Sequence, residues 1–195
     1  LCVNITFTKG IQELVEFLDK NKLVIDGMVF NIGDGKGSLE AIPSNRELQR
    51  LLEINFFSAT KVIYALQKKL TTKGGFITLV SSIAGINYLG APIAYSIAKS
   101  AIITLTKNLS FKMAPDVRVN SVAPGNIFFK GSTWDDKIKE DPNQVDTMLK
   151  EKVPLRRFAT PKEIADSIIF LSSERASFIT GEILKVDGGQ TVNLN

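Results

Sequence analysis

No histidine occurs among the 195 residues, and there is a single cysteine, Cys2, a single tryptophan, Trp134, and three tyrosines. The lack of histidine removes Ser–His hydrolase chemistry, imidazole acid–base catalysis and most zinc sites together. Proton transfer then falls to Tyr, Lys, Asp or Glu, and no metal is expected. One cysteine cannot close an internal disulfide, which points to a reducing compartment, the cytoplasm. Charges interrupt every long apolar run, so no membrane-spanning segment is read, and no secretory signal peptide is recognisable. Linkers, repeats and low-complexity tracts are missing as well.

What is present suits one soluble domain over 1–195, with 44% hydrophobic and 23% charged residues. The net charge of +4 would suit an acidic partner such as a phosphate-bearing cofactor, but reads better as lysines scattered over helical surfaces, with neither nucleic acid nor membrane as partner.

Patterning alternates strand and helix. Leu1 to Ile5 reads as a strand already under way, and Gly10 to Asn21 as a short amphipathic helix with Ile11, Leu14, Val15 and Leu18 on one side. A buried strand is read in Leu23–Asn31, then a glycine-broken loop through Gly33, Gly35 and Gly37, and a long helix from about Asn45 to Leu70. Phe76–Val80 is a strand, Pro92 opens a helix to about Ala114, and Val117–Val122 is the next strand. Residues 128–152 are polar and uneven and read as a flexible flap over a site; a helix from Pro161 and a last strand at Ile183–Val186 follow. This order predicts an α/β fold, a doubly wound parallel sheet of Rossmann type with right-handed crossovers. Ligands in such sheets bind at the carboxyl ends of the strands, where the polar and glycine clusters Asn31–Gly37, Ser81–Gly85 and Pro124–Asn126 fall.

Tyr95 and Lys99 stand four apart near the start of the Pro92 helix, so both project from one helical face. A free phenol, with a pKa of about 10, is a poor acid–base group at neutral pH; a nearby ammonium is expected to lower it. Tyr-x-x-x-Lys alone is weak evidence, since such pairs arise by chance. Ser82, with twelve residues between it and Tyr95, ends the preceding strand, where its hydroxyl can donate to the carbonyl oxygen that Tyr95 protonates. Asn55, flanked by Ile54, Phe56 and Phe57, taken alone reads as a satisfied core amide.

Ser82, Tyr95 and Lys99, with Asn31, Asn55, Pro124-Gly125, the run Val119–Gly125, Ile179-Thr180-Gly181-Glu182 and Val186-Asp187-Gly188-Gly189, make the chain resemble the short-chain dehydrogenase/reductases almost end to end, nearest in general likeness to the 3-oxoacyl-carrier-protein-reductase type. The resemblance implies hydride transfer between NAD or NADP and a carbonyl/alcohol pair. Tyr95 would be the acid/base, Ser82 would polarise the carbonyl, Lys99 would bond the nicotinamide ribose and depress the Tyr95 pKa, and Asn55 would hold a water linking Lys99 to solvent. Cofactor contacts would come from Asn4 and Ile5 at the adenine, Asn31 and Gly33 at the adenosine ribose, and Pro124, Gly125 and the Ile127 backbone at the nicotinamide. Phe30 and Phe129 depart from the more usual Asn and Thr.

The family's opening strand–helix–strand–helix portion, with its Gly-rich pyrophosphate turn, has no counterpart here; the resemblance implies roughly fifty to sixty residues before Leu1. Two alternatives stand beside the reductase: an enzyme of the same fold modifying a sugar or nucleotide-sugar in surface polysaccharide synthesis, and a catalytically silent binding or oligomerisation protein. Phe128–Trp134 could shape a polar-substrate pocket, or Trp134 could only pin the flap. Apolar residues on several faces of helices 45–70 and 92–114, among them Phe56, Phe57, Ile63, Ile102, Ile103, Leu105 and Leu109, predict a homodimer or homotetramer through those helices.

Overall fold

The computed structural model describes residues 1–71 and 74–191. Four parallel strands, β1 (Gly27–Phe30), β2 (Gly75–Val80), β3 (Val117–Pro124) and β4 (Ile183–Val186), pair in chain order. Each crossover is helical, as parallel pairing requires: α2 (Asn45–Leu52) and α3 (Ser58–Leu66) before β2, α4 (Ile93–Lys112) before β3, and α5 (Thr133–Glu140), α6 (Pro142–Lys152) and α7 (Pro161–Ser172) before β4. Helix α1 (Thr8–Lys20) precedes β1.

Side chains alternate between the two faces of a strand, and the two faces are covered differently. Ile77 and Leu79 of β2, Val117 and Val119 of β3 and Met28 and Phe30 of β1 join Ile11, Leu18, Val62, Ile63, Leu66 and Ile102 of α1, α3 and α4 in the main core. On the opposite face Val122 packs against Ile164 and Leu171 of α7, and Thr78 Oγ1 meets Ser172 Oγ at 3.0 Å. Helices on both faces make the sheet doubly wound. Val29, on the α7 side of edge strand β1, is 48% exposed, so β1 is half-buried, not fully buried as its apolar run predicts.

Three elements differ from the sequence reading. Residues 1–4 form no strand: a strand needs a hydrogen-bonded neighbour, and here the segment turns into α1 instead. Asn4 Oδ1 accepts from the amide and hydroxyl of Thr6, and a side chain at Gly10 would sit 2.1 Å from the Asn4 carbonyl oxygen. The long helix runs as predicted from Asn45, capped by Ser44, but it contains a π turn at Glu53–Phe57 and ends in a 3-10 turn at Gln67–Lys69. Finally, 128–152 is largely helical: Ser132 and Asp141 cap α5 and α6 by accepting from the amides of Asp135 and Gln144. Composition reads such a segment as irregular because its helices are short and mostly exposed.

The motifs at the end of the chain bind one another. Asn120, fully buried in β3, donates to the Ile179 carbonyl and accepts from the Glu182 amide, both at 2.9 Å. Gly181 N–H reaches Val119 O at 2.7 Å. These side-chain bonds hold the 179–182 turn against the middle of the sheet.

Candidate active site

Helix α4 begins beside the carboxyl end of β2 and presents Tyr95 and Lys99 there. Lys99 is 4% exposed; its Nζ donates to the Val80 carbonyl at 3.0 Å and lies 5.7 Å from the centre of the Tyr95 ring. Burial disfavours the charged ammonium and lowers its pKa to about 8. Of its three N–H groups, one is used by the protein at Val80.

Ser82 follows β2 and caps the 3-10 turn Ile83–Gly85 by accepting from the Ala84 amide at 3.2 Å. That use of the oxygen leaves the hydroxyl proton available for donation. The turn presses closely on α4: a side chain at Gly85 would lie 2.7 Å from the Lys99 carbonyl carbon. Only glycine admits this approach, and it brings Ser82 next to Tyr95. Burial raises the Tyr95 pKa, the Ser82 hydroxyl opposes that, and the Asp34 carboxylate raises it further. The depression expected from Lys99 is therefore corrected. The Lys99 ammonium is bonded to Val80 and lies over the ring, while desolvation dominates at the phenol.

Asn55 is 2% exposed, within the π turn. Its Nδ2 donates to the carbonyls of Leu51 and Asp34, each at 3.0 Å, and its Oδ1 accepts from the Asp34 amide at 3.1 Å. These bonds tie the loop after β1 to the long helix, as a satisfied amide would. A π turn inserted at such a position is a common mark of function. Gly33 lies between Asn55 and Lys99: a Cβ there would sit 2.7 Å from Asn55 Oδ1 and 3.1 Å from Lys99 Nζ.

The structure thus brings Ser82, Tyr95, Lys99, Asn55 and Gly33 together. Asn31 is exposed at the end of β1. Pro124 ends β3, and a Cβ at Gly125 would meet the Asp187 Cα at 2.8 Å, so Gly125 has a packing reason in addition to the predicted cofactor approach. Ile127 bridges Ala159, but the bonds of that bridge use the Phe128 amide and the Asn126 carbonyl. The Ile127 peptide groups therefore face the other way, as in any extended chain. Asn4 and Ile5 are tied to α1: Asn4 turns onto Thr6, and Ile5 packs against the main core. Glu47 and Arg50 escape the sequence reading, while Asp34 and Gly85 fall in the clusters Asn31–Gly37 and Ser81–Gly85 without having been given a role of their own. Trp134 packs on Phe158, ring centres 5.2 Å apart, which pins α5.

A nicotinamide nucleotide fits this donor set: Lys99 has N–H groups beyond the one on Val80 for a ribose diol, and among the described residues the Ile127 amide donates to no partner. Among the described residues no group of three His, Cys, Asp or Glu could hold a metal, and no helix is long and apolar enough to cross a membrane.

A doubly wound parallel sheet, with half-buried Tyr95 and buried Lys99 at its carboxyl ends, defines a Rossmann-type α/β protein. A family model described as enoyl-(acyl carrier protein) reductase matches residues 1–191. The chain is 32% identical over 186 residues to the 3-oxoacyl-[acyl-carrier-protein] reductase FabG of Aquifex aeolicus, covering 94% of this chain and 71% of that protein. It is 39% identical over 146 residues to an uncharacterised oxidoreductase of Schizosaccharomyces pombe, covering 74% of this chain and 54% of the relative; the match thus spans about half the length of that yeast protein. The crystal structure of L-sorbose reductase from Gluconobacter frateurii, complexed with NADPH and L-sorbose, superposes with a TM-score of 0.89 at 26% identity, over 99% of this chain and 76% of that one. The chain belongs to the short-chain dehydrogenase/reductase family.

Proposed function

We propose that this protein transfers a hydride between NAD(P)H and a carbonyl/alcohol substrate, with Tyr95 as the acid/base. The observation that carries this is the cluster at the end of β2 in which half-buried Tyr95 meets the Ser82 hydroxyl and the buried Lys99 ammonium, with buried Asn55 next to Lys99 across Gly33. When bound, the nicotinamide supplies the hydride. The protein's own residues do the rest. Ser82 donates to the carbonyl oxygen, and Tyr95 gives that oxygen its proton. Lys99 holds the ribose and can replace the proton on Tyr95, its pKa of about 8 being low enough for exchange near neutrality. Asn55, with one Oδ1 lone pair unused, orders a water behind Lys99. Asn4, Ile5, Asn31, Gly33, Pro124, Gly125 and Ile127 line the cofactor, NAD or NADP.

The segment 128–152 forms the substrate side of the site within the one domain and moves to admit substrate. Exposed Phe57, Tyr64, Ile97 and Phe111 on the long helix and α4 support a homodimer or homotetramer built through those helices. A cytoplasmic location agrees with the single exposed cysteine. A second reading, a sugar or other polyhydroxy substrate, draws on the likeness to a reductase solved with L-sorbose.

The test is Tyr95→Phe, assayed with NADH and NADPH against a panel of ketoacyl and ketose substrates. Turnover is expected to fall by about three orders of magnitude, with the thermal midpoint unchanged. Wild-type rates in the variant would end the tyrosine assignment; no turnover by the parent with any carbonyl would favour a silent binding protein.

A further inference from the structure

The loop that leaves β1 is tied to the long helix at three levels. Ser38 N–H donates to Glu47 Oε1 at 2.6 Å, Arg50 bonds both the Asp34 carboxylate and the Lys36 carbonyl, and Asn55 holds both backbone groups of Asp34. The fastened loop forms one wall of the tyrosine site. A Cβ on Gly35 would lie 3.8 Å from Tyr95 Cε2, ordinary contact distance. A carboxylate is thus fixed one residue from the phenol ring's neighbour.

The turn does not itself require a charge there. Asp34 Oδ1 accepts from the Lys36 amide at 2.8 Å, and an asparagine oxygen would accept that bond equally well. Burial would raise the Asp34 pKa, but the Lys36 amide and the Arg50 guanidinium overcome it and hold the carboxyl below its ordinary value. Asp34 is therefore ionised throughout the neutral range. Around the phenol, the charged groups are Asp34 from the loop after β1 and Lys99 from its own helix, with the Ser82 hydroxyl from the loop after β2.

We propose that Asp34, held by Arg50, is a positioning residue for Tyr95: its fixed negative charge keeps the phenol in the protonated, proton-donating form, the form from which carbonyl reduction starts. A phenolate forming beside a carboxylate is disfavoured by like-charge repulsion, so Tyr95 rests as an acid. Arg50 tempers the effect by partly neutralising Asp34. The consequence for reduction rests on the reductase reading given above; the electrostatic coupling does not.

The coupling can be read without any substrate. In the full chain carrying Tyr64→Phe and Tyr88→Phe, Tyr95 is the one remaining tyrosine, and phenolate absorbance reports its ionisation at each pH below alkaline unfolding. Asp34→Asn should give more phenolate than the parent at every such pH, and Arg50→Gln less, because the carboxylate is then unopposed. More phenolate in both variants would mean that a loosened loop merely admits water to Tyr95, and would overturn the proposal; so would no change in Asp34→Asn. Because the titration needs no turnover, an inactive parent that shows the opposed shifts would sink the reductase reading and leave the coupling standing.

Discussion

Two segments leave the carboxyl ends of the sheet beside the candidate site, and they are anchored by different means. The loop after β1 is held from beneath, by a buried amide that bonds three backbone groups and by the Glu47 and Arg50 side chains above it. The stretch from 128 to 163, after β3, is held from outside. Its helices are capped by Ser132, Asp141 and Thr160, and Arg157 pairs with Glu163 at 2.7 and 2.9 Å. The Trp134 and Phe158 rings meet within it, tilted by 50°. Buried polar bonds are costly to break because nothing replaces them, whereas exposed caps and pairs exchange readily with water. The first arrangement suits the wall of the proton-transfer site proposed above, and the second the cover proposed over it, whose sequence can vary.

Removing an anchor from each segment measures that difference. Asn55→Ala should have the largest effect, about 2–4 kcal/mol of stability, since it strands buried backbone groups at both the helix and the loop; chemical denaturation reads it. A loss below about 1 kcal/mol would show that water enters freely beneath the loop, and the contrast would fail. Trp134→Ala should cost about 1 kcal/mol, the scale of one partly exposed aromatic contact, while altering substrate KM more than kcat. A cost as large as that of Asn55→Ala would mean that the cover is as integral to the fold as the wall.

The smallest effect belongs to Glu163→Gln. The Glu163 carboxyl is held at about 2 by the Arg157 pair and by the Thr160 amide and hydroxyl, from an ordinary value of 4.5. A carboxyl depressed on folding contributes stability that is fully present above the unfolded value and lost as pH falls through the folded one. The gap between wild type and Glu163→Gln should therefore be constant above about pH 4.5 and close between there and pH 2; salt should shrink it at every pH. Thermal midpoints measured across that range give the answer, and a gap that widens on acidification would exclude the Arg157 pair as its source.

Alternating apolar runs and glycine clusters were enough to locate three of the four strands within a residue or two, and the strand ends where polar residues gather are where Ser82, Tyr95 and Lys99 meet. Strand β1 was bounded less closely, because Leu23–Asp26 carries apolar residues without joining the ladder until Gly27. The helices of 128–152 were illegible for a different reason. Thr133–Glu140 and Pro142–Lys152 bury little surface, so they are specified by caps and neighbours more than by an apolar stripe. The π turn around Asn55 is not legible locally, because Glu53–Phe57 reads as a continuation of the helix on either side.

By itself the sequence narrowed the candidates: without histidine, proton transfer is left to Tyr, Lys, Asp or Glu, and the four-residue spacing of Tyr95 and Lys99 puts both on one face of a helix. Only the tertiary structure decided how that tyrosine is tuned. Its environment is assembled from segments more than sixty residues apart, with Asp34 and Ser82 reaching it from two loops and Val80 drawing the Lys99 ammonium to itself. Desolvation and through-space charge depend on which groups the fold brings within a few ångströms, and no local pattern of residues encodes that distance.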